Sequence, residues 1–80
     1  MDDEFGPAKQ RFIALVHEID SEVSVVIPER STQNAFRISL TRGSNRRFVT
    51  ISEDEMLDLV EDEFAAAKMH AILRGEVAAL

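Results

Sequence analysis

Eighty residues, 45% of them apolar, with no cysteine and a net charge of −6, describe one small domain over residues 1–80, held by packing alone without disulfides or thiolate metal sites. The acidic balance argues against a general affinity for nucleic acid or anionic membrane, and no apolar run approaches the ~20 residues needed to cross a bilayer. The start, Met1-Asp2-Asp3-Glu4, is acidic where a secretory signal is basic, so the expected location is the cytoplasm.

Residues 1–6 read as a flexible tail. Gly6-Pro7 then offers a helix start, because proline at the first helical position gives up a donor that has no partner there. Ala8, Phe12, Leu15, Val16 and Ile19 recur at helical spacing on one face, with Gln10, Ala14, His17 and Ser21 opposite. An amphipathic helix ending near Ser21 follows.

From residue 22 the period changes to two. Val23, Val25 and Ile27 alternate, and Pro28 removes the next backbone donor. This is a short strand, and the polar stretch over residues 29–34 is a surface loop.

Residues 36–51 form a β-hairpin. Phe36, Ile38 and Leu40 alternate with Arg37, Ser39 and Thr41, and after Gly43-Ser44 the pattern resumes with Val49 and Ile51 against Phe48 and Thr50. Gly-Ser suits a two-residue type II′ turn, which pairs Arg42 with Asn45. Counting back places Ile38 opposite Val49 and Phe36 opposite Ile51 on one face, with Ser39 opposite Phe48 and Arg37 opposite Thr50 on the other. A four-residue loop over 42–45 gives the same register.

Ser52-Glu53-Asp54-Glu55 is a capping box, S-x-x-E, which fixes the start of a long second helix. Its early acids lie where the helix dipole favours negative charge. Met56, Leu57, Val60, Phe64, Ala67 and Ala71 read as the core-facing stripe, and Gly75 as the stop. Opposite that stripe Asp58 and Asp62 give way to Ala65, Met69, Ile72 and Leu73, so the far end of the helix is apolar on two sides. Residues 76–80 continue this character as a frayed or partner-contacting C-terminus.

The sequence therefore predicts an α+β fold, α-β-β-β-α, with a three-stranded antiparallel sheet and two helices packed on one face. Helix, three strands and helix is also the element order of the double-stranded-RNA-binding domain. That family grips phosphate with lysines at the start of its second helix, where this chain has Glu53, Asp54, Glu55 and Asp58. The resemblance stops at element order and carries no functional residue with it.

No residue set makes an active site, and no enzyme activity, cofactor or metal is expected. His17 and His70 lie far apart in sequence with no metal-binding spacing. The acids over residues 53–63 diverge around a helix instead of converging in a loop or cleft. No serine sits in a nucleophile elbow.

Two surfaces remain as candidates. The apolar set Ala65, Met69, Ile72 and Leu73 suggests a protein-interaction module that self-associates, most simply as a homodimer. Arg37, Arg42, Arg46 and Arg47 with Phe48 form a basic ribbon that suggests, as the alternative, a nucleic-acid-binding regulator.

Overall fold

In the computed structural model, which describes residues 4–80, six elements follow in chain order: α1 Gly6–Ile19, β1 Ser24–Val26, β2 Ala35–Arg42, β3 Asn45–Ser52, α2 Glu53–Glu61 and α3 Glu63–Ala78. The hairpin has the expected register, with Arg42 opposite Asn45, Ile38 opposite Val49 and Phe36 opposite Ile51. Gly43 supplies the positive φ, 62°, that the first central position of a type II′ turn requires. β1 adds to the other side of β2, pairing Val25 with Leu40, so the antiparallel sheet has the order β1-β2-β3.

One face of this sheet carries Phe36, Ile38, Leu40, Val49 and Ile51, all buried. Against it pack Ala8, Phe12, Leu15 and Val16 of α1, Met56 and Leu59 of α2, and Met69, Leu73 and Val77 of α3. No charged or polar side chain among the described residues is buried. The core is therefore apolar throughout, and burial of each large side chain is worth about 1.5–3 kcal/mol.

The capping box forms as expected. Ser52 Oγ accepts from the Glu55 amide at 3.1 Å, and Glu55 Oε1 accepts from the Ser52 amide at 3.0 Å. Ser52 is at once the last residue of β3 and the cap of α2, so sheet and helix join without a loop.

The connection from β1 to β2 is more ordered than its composition suggests. Gln33 (φ 53°) and Asn34 (φ 62°) both adopt the left-handed conformation, closing a tight turn in which Thr32 and Ala35 exchange two main-chain hydrogen bonds of 2.8 and 3.1 Å. The Glu53 amide donates to the Asn34 carbonyl at 2.9 Å, and the Ser31 hydroxyl donates to the Glu53 carboxylate. The turn thus docks on the start of α2.

The second helix differs from expectation. It breaks at Asp62, whose backbone is extended (φ −138°, ψ 114°) and whose carboxylate accepts from the Phe64 amide at 2.9 Å. The order is α-β-β-β-α-α. Helical residues advance about 100° each, and Met56, Leu59, Ala66, Leu73 and Val77 share the inner side at spacings of three, seven, seven and four. The stripe drawn through Val60, Phe64, Ala67 and Ala71 is outside from before the bend, Val60 being 50% exposed, and Ala66, Met69, Leu73 and Val77 are inside. Gly75 does not stop the helix, which runs on to Ala78.

Both ends of the described chain are docked. Phe5, expected in the tail, packs edge-on against Phe36 with ring centres 5.1 Å apart; the remainder of that expected tail, residues 1–3, lies outside the described residues. Leu80 packs on the core, and its main-chain oxygen accepts from Arg42 at 2.9 Å.

Candidate interaction surfaces

The expected apolar surface on the far helix divides between inside and outside. Met69 and Leu73 are core residues, 4% and 0% exposed; Ala65 is half-buried; Ile72 is 50% exposed. The outer face of α3 runs from Phe64 through Lys68, Ala71, Ile72 and Gly75 to Ala78, all exposed and carrying a single charge. Phe64 is 87% exposed, on the first turn of the helix. Beside it a groove of about 680 Å³ is lined by Glu55, Asp58, Phe64, Ala65, Lys68 and Ile72, among others.

The arginine set divides as well. Arg42 and Arg47 serve the fold: Arg42 pairs with Asp20 at 2.7 Å and bonds the Leu80 oxygen, while Arg47 pairs with Glu76 at 2.9 Å. Arg47 lies opposite Leu40, on the helix-bearing side of the sheet. Arg37, Arg46 and Phe48 remain on the other side, which no helix covers. There the Arg37 guanidinium sits over the Phe48 ring, 4.4 Å from its centre, a cation–π contact. The register aligns Val26, Ser39 and Phe48 across this open face, with Val26 63% and Phe48 49% exposed.

Asp20 is the one titratable group clearly shifted among the described residues. The hydrogen bond from Arg42, and after it the one from the Glu22 amide, hold its carboxyl below the ordinary carboxylate range; partial desolvation opposes this, and the charge of Arg42 adds to it. This identifies a structural anchor, since Asp20 lies at the corner between α1 and β1 and lines no cleft.

The two histidines lie apart. His17 is exposed and donates Nε2–H to the Val23 carbonyl at 3.1 Å. His70 lies in a depression of about 810 Å³ where α1 meets the bend, with Arg11, Glu18, Glu61 and Glu63 around it. Among the described residues no group of three or more His, Asp or Glu side chains is placed to hold a metal ion, and no helix is long and apolar enough to cross a membrane.

No protein-family model, curated protein or solved structure matches the chain.

Sequence reasoning missed Phe64, which it placed in the core. The available signal was Leu59, which with Ala66 and Leu73 makes an apolar stripe at helical spacing that competes with the one through Val60 and Phe64.

Proposed function

We propose that this chain is a non-catalytic protein-interaction module that self-associates through the outer face of α3, with Phe64 as its anchor. The observation that carries this reading is the 87% exposure of Phe64, since leaving a phenylalanine in water forgoes about 1.5–3 kcal/mol that a partner surface recovers.

The spacing along the helix suggests how two copies fit. Gly75 lies three turns beyond Phe64 on the same exposed face, and the space where its Cβ would stand is open. In an antiparallel two-fold pairing, Phe64 of each copy falls over Gly75 of the other, and each Lys68 meets Ala71 instead of its own counterpart. This arrangement also brings Arg74 toward the acidic residues 61–63 of the second copy and keeps the two acidic helices apart.

Sedimentation velocity at high micromolar concentration tests the reading. A dimer that Phe64→Asp converts to a folded monomer supports it; a wild-type monomer overturns self-association.

The alternative, nucleic-acid binding on the open sheet face, is weakened by two features. Arg42 and Arg47 are engaged within the fold, and Arg37 occupies the face of Phe48 on which a base would stack.

A further inference from the structure

The two edges of the sheet are finished differently. At the β1 edge, the Val23 amide donates to the Asp20 carbonyl at 3.3 Å and the Val23 carbonyl accepts from His17, which leaves Val25 as the one strand residue whose amide and carbonyl point outward. β1 itself has only three residues. That edge is too short to template a further strand.

The β3 edge is eight residues long. Which of its main-chain groups face outward follows from the ladder. Ala35 spends both its amide and its carbonyl on Thr32, so the Ala35–Ser52 pair is non-hydrogen-bonded. Alternation then makes Phe36–Ile51, Ile38–Val49 and Leu40–Arg47 the bonded pairs. The amides and carbonyls of Arg46, Phe48 and Thr50 point away from β2. The next outward amide, that of Ser52, is taken by Glu55. All three open positions are exposed, and none of their main-chain groups has a hydrogen-bond partner within the described residues.

Main-chain groups repeating every second residue match only another extended strand. The charge beside them narrows the choice. On the open face Arg46 stands on β3 itself and Arg37 on the neighbouring strand, and neither has an ion pair among the described residues. Every other residue on that face, Ser24, Val26, Ala35, Ser39, Thr41, Phe48, Thr50 and Ser52, is uncharged. We infer that the β3 edge, at Arg46, Phe48 and Thr50, is a strand-addition site for an extended acidic peptide, whose carboxylates meet Arg46 and Arg37 and whose central apolar side chain lies beside Phe48. A second copy of β3 fits less well, because it brings further arginines and no acid to the seam. This site shares no residue with the outer face of α3 and does not depend on it.

The test uses the full chain with two peptides, acetyl-EVIVE-amide and acetyl-KVIVK-amide, read by hydrogen exchange at single amides. In the free protein the amides of Arg46, Phe48 and Thr50 exchange fast while those of Val49 and Ile51 are protected. Saturating acidic peptide is expected to slow these three amides by roughly tenfold or more, with an affinity that falls as salt rises, while the basic peptide leaves them unchanged. Thr50→Pro removes one outward donor and no ladder bond, so it abolishes binding in a folded protein. Arg46→Glu, which leaves the backbone intact, reverses the preference between the peptides. Equal protection by both peptides, or protection elsewhere, overturns the inference. So does concentration-dependent protection of these amides in the free protein, which assigns the edge to a second copy. Protection by oligothymidylate with none by the acidic peptide assigns the face to nucleic acid and overturns it as well.

Discussion

Arg42 reaches Asp20 at 2.7 Å and, with its other terminal nitrogen, the main-chain oxygen of Leu80 at 2.9 Å. One guanidinium at the end of β2 thereby ties the corner after α1 to the segment that follows α3. Because Asp20 is held below its ordinary pKa, the folded state favours its ionised form. The contribution is present above the unfolded pKa and is lost as pH falls through the lower, folded value. In acid titration followed by NMR, Asp20 is expected to protonate below the ordinary aspartate range. The amides of residues 77–80 are expected to lose exchange protection as it does, and Arg42→Met brings the same loss at neutral pH.

Leu73 and Ile72 are neighbours in sequence on opposite sides of α3. Leu73→Ala is expected to cost about 2–5 kcal/mol, the range for opening a cavity in a packed core. Ile72→Ala costs less than about 1 kcal/mol in the monomer, because half of its side chain is already in water. Urea denaturation at a concentration where the protein is monomeric separates the two. Equal costs would put Ile72 in the core beside Leu73.

Asp62 terminates α2 and caps α3 with the same residue. Asp62→Ala is expected to destabilise the domain by about 0.5–2 kcal/mol through loss of the bond to the Phe64 amide. Asp62→Asn, which keeps an acceptor at that position, recovers most of this. Urea midpoints of the two variants give the comparison.

Two positions invite stabilising changes for opposite reasons. Gln33 has an L side chain in left-handed backbone, a conformation that costs roughly 1–2 kcal/mol outside glycine, aspartate and asparagine, so Gln33→Gly is expected to raise stability. Gly75 sits inside a helix, and a methyl group added there would meet nothing within 4 Å. Gly75→Ala is therefore expected to gain about 0.8–1 kcal/mol of helix propensity. Thermal melts of the monomer check both, with a rise in Tm as the expected result for each.

The hairpin and the first helix were legible because local chemistry constrains them twice. Strict alternation and the Gly43-Ser44 turn each demand the same register, and Ala8, Phe12, Leu15 and Val16 repeat on one helical face with no competing stripe. The far helix offered no such check. Glu61-Asp62-Glu63 contains neither glycine nor proline, and the alanines that follow are at home on either side of a helix. The buried stripe through Leu59, Ala66 and Leu73 and the exposed one through Val60, Phe64 and Ala71 are both apolar at helical spacing, so periodicity alone does not choose between them. The tight turn at Gln33-Asn34 was hidden for a related reason: glutamine is an uncommon choice for left-handed backbone, and the docking of that turn on Glu53 is a tertiary contact with no sequence period. For the arginines, strand alternation reveals the side of the sheet but not the partners. Asp20 and Glu76 come from elements that only the packing brings near.

The loop-free junction at Ser52 has a consequence for how the chain folds. Starting a helix is its costly step. Here the end of β3 presents a finished cap, and Asn34 at the far end of β2 accepts the Glu53 amide. Residues 31–61 are thus expected to close a nucleus from contacts near one another in sequence, with α1 and α3 condensing later. Conservative substitutions in the hairpin and in Ser52 are expected to slow folding, whereas those in α3 chiefly hasten unfolding.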